Sequence, residues 1–339
     1  MIVTFISLCL LLNPVHAREP KYIFTIASLA PKNVGWAKHV REIIVKRIKK
    51  STNGEICIKF FWNGSKGSEK DYIEMINNGQ LDGAALSGYG TALACPEMNV
   101  LQLPFIFNNY EEVDYIRNKM YHIFEAIAEK NGYKLFIWTD QDFDQLYSMT
   151  LPMVTMDDFK KAKFASCFGQ LEMSVLKHIG ASPIEMDVES GAAALRKGIV
   201  DTFIGPAMWV VGSQLYIKVN YVNPLKIRYA PSTALISLRA WNRIPDKYKT
   251  LLTSFRKKEV LEFIYRNRKD SDRAYQAMLK YGLKESIMKE KDITHLKKQC
   301  EQLWKPLSEK FFDITILNEM LSHLKTYREI KKAMPIESY

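Results

Sequence analysis

Hydrophobic positions bunch together near the start of this chain and then spread out with regular spacing. Residues 22–27 are almost continuously apolar, as in a strand covered on both faces. The run ends at Ser28-Leu29-Ala30-Pro31, a turn-like stretch. Trp36, Val40, Ile43, Ile44 and Ile48 then recur at helical spacing. Thr52-Asn53-Gly54 stops that helix, with glycine in the usual C-terminal position. The pattern next predicts a strand at 55–62, a glycine-punctuated loop at 63–67, a helix at 68–77 closed by Gly79, and a strand at 81–86. A β-α-β-α-β order implies a mostly parallel sheet with helices on its faces. Ligands bind beyond the carboxyl ends of such strands, so the loops at Ser28, Asn63 and Ser87 are expected to face one cleft.

The middle of the chain repeats the theme. Strands are expected at 135–138, 163–167 and 200–204, the last ending at Gly205-Pro206, and residues 146–154 read as extended. Thr155 and Asp158 cap a short turn, and helices are expected at 170–179 and 192–198. Residues 228–237 read as an extended return to the first lobe. From Pro245 onward the chain is helical, at 245–255, 259–279 and 293–312. This pattern makes an α/β chain of two lobes, 22–141 with 231–270 and 142–230 with 271–330, with hinge strands that absorb closure and a helical C-terminal region.

Composition narrows the function. The chain has 339 residues, 47% hydrophobic and 25% charged, an ordinary globular balance with room for two lobes. Residues 2–12 form an uncharged apolar run that Pro14 breaks, and Val15 and Ala17 stand at the small-residue positions of a cleavage site. This predicts a signal peptide removed after Ala17 and a periplasmic protein. The run falls short of the roughly 20 residues that span a bilayer. Cys57, Cys95, Cys167 and Cys300 have no metal-ligand spacing and read as core thiols. The six histidines pair with no ligand partner, so no metal site is expected. The net charge of +11 is spread over helix faces, unlike the concentrated, aromatic-interleaved face of a nucleic-acid binder. An anionic membrane or an acidic partner stays open. No nucleophile, phosphate-loop or dinucleotide motif occurs, so neither an enzyme nor a cofactor is expected.

Several short motifs stand in a familiar order: Ser28-Leu29-Ala30-Pro31, Asn53-Gly54-Glu55-Ile56, Gly64-Ser65-Lys66-Gly67, Asn78-Gly79-Gln80-Leu81-Asp82, Leu103-Pro104-Phe105-Ile106-Phe107, and Ala194-Leu195 running on to Gly198 and Asp201. Together they resemble the extracytoplasmic solute receptors of tripartite ATP-independent periplasmic (TRAP) transporters, the DctP-like family, over roughly residues 22–327. The resemblance implies a two-lobed periplasmic-binding-protein-like fold with crossing hinge strands. It also implies a small-molecule ligand, TRAP permease subunits as membrane partners and no catalysis. In one branch a tetratricopeptide-repeat periplasmic lipoprotein is a further partner.

The chain departs from that pattern at the ligand grip. Where the family holds a carboxylate with Arg, this sequence has Ala165; where a second Arg is common, it has Asp144; a polar amide position is Gly205. A carboxylate taken out of water needs charge-assisted donors. The expectation is therefore a neutral, cationic or lipophilic ligand and not a simple dicarboxylate, with Asp144 repelling acids. The expected lining is Leu29, Trp62, Ser87, Tyr89, Asp144, Ala165, Phe168, Gly205, Met208 and Trp209. An exported protein-binding scaffold or sensory subunit on the same fold is the alternative.

Overall fold

A computed structural model describes residues 19–333. The expected signal segment, 1–17, lies outside them. One sheet carries the described strands: β1 (Tyr22–Ser28), β2 (Ile56–Phe61), β3 (Gly83–Leu86), β4 (Tyr133–Ser148), β5 (Phe164–Ser166), β6 (Ile184–Glu185), β7 (Thr202–Gly205), β8 (Tyr221–Ser237) and β9 (Lys284–Glu285). Their order is β2-β1-β3-β8-β4-β7-β5-β6, with β9 beside β8. The outer groups are parallel: β1 pairs with β2 and β3, and β5 with β6 and β7. The centre is antiparallel, through β3–β8, β8–β4 and β4–β7. The sheet is thus mixed and not mostly parallel, because two long strands run through both lobes. The start of β4 and the end of β8 continue the first lobe; their other halves continue the second.

The sequence predicts two pieces where β4 is one strand of 16 residues. The stretch between those pieces holds Asp140, Asp142 and Asp144, and aspartate is depleted in strands. Tertiary bonds override that preference. Arg117, Arg268 and Tyr229 all bond Asp140, with the Arg268 Nε contact at 2.6 Å. Tyr110 donates to Asp142 at 2.6 Å, and Arg228 covers Asp144. Bulges at Leu135/Ile137, Asp140/Asp142 and Asp144/Leu146 bend the strand as it crosses.

Two helices tie the lobes together. The sequence predicts no element at Tyr110–Lys130, yet Val113, Ile116, Met120 and Phe124 form a buried stripe there and Asn109 caps the first turn. Phe124 packs edge-on to Trp138 of β4 at 5.2 Å. The helix Glu259–Tyr281 buries Val260, Phe263 and Ile264 in the first-lobe cluster and Ala274 and Met278 in the second. Its Arg268 bonds both Asp114 and Asp140. The helix expected at 293–312 is split into Glu290–Gln302 and Trp304–Phe311, with Pro306 unable to donate across the break. The last helix, Ile314–Ala333, lies on Tyr110–Lys130 through Arg328–Glu112 at 2.8 Å and Tyr327–Glu111 at 2.9 Å. Cys57, Cys95, Cys167 and Cys300 are free thiols, all buried except Cys57.

Candidate functional site

The crossing of β4 and β8 places Asp144 directly opposite Arg228. Neither is open to solvent: Asp144 is 0% exposed and Arg228 6%. Arg228 donates from Nε at 2.8 Å and from Nη2 at 2.5 Å to the same oxygen, Asp144 Oδ2. Glu172, in the first turn of the helix Gly169–His178, brings Oε1 to 3.8 Å from Arg228 Nη2. Its other oxygen accepts from Phe168 N at 3.0 Å and Ser166 Oγ at 3.1 Å, which fixes the turn after β5. The Phe168 ring lies 4.9 Å from the guanidinium, within cation–π range. Burial pushes both Asp144 and Glu172 toward the protonated form, and Arg228 pulls them back only in part. Burial alone would discharge Arg228, but Asp144 and Glu172 more than offset it and its basicity rises.

Aromatic rings roof this cluster. Trp209, on the short helix Ala207–Gly212 after β7, meets Phe168 edge-on at 5.8 Å and Phe203 at 5.1 Å. A Cβ on Gly205 would fall 2.8 Å from Trp209 Cε3, so glycine makes the space for the indole. Tyr89, on the helix Gly88–Ala94, covers Gly169 so closely that a Cβ there would come within 2.7 Å of the ring. A Cβ on Gly35 would be 2.6 Å from Met208 Cε. The segments at Gly35 and Tyr89 therefore touch the segments at Met208 and Gly169. A cavity of about 220 Å³ is lined by Tyr89, Leu93, Asn99, Phe168, Gln170 and Glu185 among others.

The structure gathers part of the expected lining. Tyr89, Ala165, Phe168, Met208 and Trp209 share one hydrophobic cluster, next to Asp144, with Gly205 beneath Trp209. Trp62 is elsewhere: half-buried, its ring stacks on Phe60 at 4.1 Å against the outside of the first-lobe core. Its place at the end of β2 predicts that it aims at the cleft, but stacking on the strand holds it back. Leu29 packs on the large core. Ser87 is a cap: its hydroxyl donates to Glu69 at 2.6 Å and accepts from Gly90 N. Tyr89, expected in a loop, lies in the helix that Ser87 caps.

One expectation needs correction. Asp144 is not an unmatched charge, and the cleft is not without a cation, because Arg228 faces Asp144 across the strand pair. The sequence signal is a lone Arg inside the apolar stretch Ile227-Arg228-Tyr229-Ala230. Its partner cannot be read without the β4–β8 register. Glu172 and Glu69 escape a sequence reading for a similar reason, since each reads as an ordinary helix-start acid. Glu69 is 3% exposed and accepts from Ser87 N at 2.5 Å and Gly90 N at 3.1 Å, so it occupies the donors at the end of β3.

Comparison with known proteins places this geometry. The family model for bacterial extracellular solute-binding protein, family 7 (DctP), matches residues 26–311. The uncharacterized protein YiiZ of Salmonella typhimurium is 25% identical over 181 residues, 52% of this chain and 55% of its own. The C4-dicarboxylate-binding protein DctB of Bacillus subtilis is 23% identical over 235 residues, 69% of this chain and 65% of its own. The chain spans between 55% and 63% of the length of the first curated relatives it matches. A TRAP periplasmic solute-binding protein from Desulfovibrio salexigens with bound orotic acid superposes with a TM-score of 0.84 at 17% identity, over 90% of this chain and 99% of that one. One from Haemophilus influenzae with bound L-gulonate gives 0.82 at 19%, over 89% and 100%. No described helix is long and apolar enough to cross a membrane. The sheet crossed by two shared strands, the cleft between its lobes and a family match over most of the sequence agree: this chain is a member of the bacterial extracellular solute-binding proteins of family 7.

Proposed function

We propose that this chain is the exported receptor of a TRAP-type secondary transporter, closing on a small solute and delivering it to the permease subunits in the membrane. The solute is neutral, cationic or lipophilic and not a simple dicarboxylate. One observation carries that choice: the cleft's donors are already engaged by the protein's own carboxylates. Arg228 is taken by Asp144 and flanked by Glu172, and the turn at Ser87–Gly90 is taken by Glu69. An entering carboxylate would be desolvated without an unmatched cation to receive it, a penalty of several kcal/mol. The acids bound by the structural relatives are ligands of those proteins.

The lobe bounds 22–141 with 231–270 and 142–230 with 271–330 belong to the same proposal, with β4 and β8 as hinge. So do removal of residues 1–17 and a tetratricopeptide-repeat partner. Thermal melting with a solute panel tests the reading. A true ligand at about a hundred times its Kd adds about 2.7 kcal/mol to the folded state. Stabilisation by succinate or a sugar acid at micromolar concentration would remove the ligand class and leave the receptor. A protein that no solute stabilises would instead fit a scaffold or sensory subunit.

A further inference from the structure

Five strands end or begin on one line. Register sets Phe164 of β5 beside Thr202 of β7, Thr202 opposite Ser148 of β4, Ser148 opposite Tyr221 of β8, and Tyr221 beside Lys284 of β9. Neighbouring strands lie about 4.8 Å apart, so the row is about 19 Å wide. β5 and β7 run away from it toward Phe168 and Gly205, so this edge of the sheet is the one opposite the Arg228 cluster. The chain turns just outside the row, and the turns are stitched together. Asp201 N donates to Lys163 O at 2.9 Å, Met149 N to Asp201 O at 2.8 Å, Asn220 N to Ser148 O at 3.0 Å and Lys284 N to Asn220 O at 2.9 Å. Arg196 Nη1 donates to Ser213 O at 3.2 Å, and the rings of Tyr216 and Tyr281 meet edge-on at 5.2 Å. These bonds join the turns into one continuous face.

That face is basic. Lys163, Lys197, Lys218, Lys280 and Lys284 are all exposed. Among the described residues none of the five pairs with a carboxylate, whereas nearby Lys160 and Lys161 are held by Asp157 and Asp158 at 2.8 and 3.3 Å. The carboxylates of the same turns are engaged by other groups. Asp201 accepts from Lys163 N and Thr202 Oγ1, both at 2.9 Å, and Glu285 accepts from the Tyr275 hydroxyl at 2.6 Å. Apolar side chains stand open among the lysines: Ile199 is 56% exposed, Ile217 52% and Tyr281 66%.

We propose that this face docks on an anionic lipid surface. The five ammonium groups meet the headgroups, and Ile199, Ile217 and Tyr281 enter the boundary between headgroups and acyl chains. Composition selects lipid over protein. Protein interfaces are depleted in Lys and enriched in Arg, and the one Arg of this face, Arg196, is spent on a backbone carbonyl. A hydrated ammonium on a flexible stem suits a diffuse field of headgroups, and a tyrosine ring suits their inner boundary. Each Lys near such a surface strengthens binding about fivefold. The inference goes beyond the receptor reading and does not depend on it, because the docking face and the Arg228 cluster lie at opposite ends of β5 and β7.

Vesicle sedimentation with the protein purified after export tests this. One set of vesicles is phosphatidylcholine; the other is phosphatidylcholine and phosphatidylglycerol in equal parts. The expected result is binding to the anionic vesicles alone, lost near 1 M salt, where charges are screened within about 3 Å. Lys218→Gln with Lys284→Gln should weaken that binding about twenty-five-fold. Lys49→Gln with Lys50→Gln, at exposed positions on the helix Lys46–Ser51, removes the same charge elsewhere and should bind as the wild type does. Melting curves check that both variants remain folded. Equal binding to the two kinds of vesicle overturns the inference, and so do equal losses in the two variants, which would leave net charge as the cause. No binding to either vesicle also overturns it; capture by permease subunits in neutral-lipid nanodiscs, lost in the Lys218 and Lys284 variant, would then assign the face to a protein. Melting shifts with solute are read separately, so the receptor reading stands or falls on its own result.

Discussion

At Gly205 the demand is for space and not for a left-handed backbone. Its φ is not among the positive values, which fall at other glycines such as Gly169 and Gly198. What glycine provides is room for the Trp209 ring, which a methyl group would approach to 2.8 Å. An indole wedged between Phe168 and Phe203 cannot swing aside as a long flexible chain would. Gly205→Ala is therefore expected to lose about 1–3 kcal/mol through overpacking. Urea unfolding would read the loss, and tryptophan fluorescence would report the displaced ring. Wild-type stability and an unchanged spectrum would show that the roof of the cleft is looser than these contacts imply. At Gly35 the neighbour is the terminal methyl of Met208, which can rotate away, but a φ of +47° strains any side chain there.

The element that matters most is β4. Its aspartates alternate along the strand, and each is answered differently. Asp140 has two guanidiniums, Asp144 has one, and Asp142 has neutral donors, among them the Tyr110 hydroxyl and the Phe143 N–H. Burial first, and Asp144 in addition, raises Asp142 to about 6 against those hydrogen bonds. Tyr110 and Tyr147 face it with hydroxyls kept protonated by burial and then by its charge, and Arg268 stands beyond Tyr110. A carboxyl with a raised folded-state value binds its proton more tightly in the native state than in the unfolded chain. Its contribution is then fully present below about pH 4 and is lost as the pH rises through 6. The rise from the ordinary aspartate value corresponds to about 3 kcal/mol. Asp142→Asn keeps the acceptor oxygen and removes the charge. It should leave stability nearly unchanged at pH 4 and raise it at pH 7.5. Melting curves at the two values decide this, and an equal effect at both would mean that Asp142 is solvated in solution.

On the scale of the whole molecule, the proposed closure brings contacts between lobes into play. Tyr89 against Gly169 is the tightest of them that involves a rigid ring. Gly169 has φ +86°, so any side chain there is strained whether or not the lobes meet, at a cost of about 1 kcal/mol. The clash with Tyr89 exists only when the lobes meet. Gly169→Ala should thus lower the ligand-free melting temperature modestly and lower solute affinity by more than that strain explains. Calorimetry with whichever solute stabilises the wild type measures the second effect. A loss of affinity no greater than the loss of stability would show that Tyr89 withdraws at no cost. The helix Glu259–Tyr281 is packed into both lobes.

Much of the architecture was legible from local pattern. Apolar runs, helical spacing, glycine stops and the capping pair Thr155–Asp158 act between residues close in sequence, so they placed β1, β2, β3 and most of the second lobe's elements. The six ordered motifs pointed to the family over nearly the whole chain. What the sequence left undecided was every relation across distance. Three aspartates in a row of alternating positions argue against a strand until Arg117, Arg268, Tyr110 and Arg228 arrive from other elements to bond them. Trp62 at a strand end reads as a cleft residue until Phe60 offers its face. Asp144 reads as an unpaired charge until the antiparallel register brings Arg228, 84 residues away in sequence, directly opposite. A residue's type and spacing determine which bonds it can make; only the tertiary structure decided which partners came within reach, and so which charges in the cleft remained to be answered.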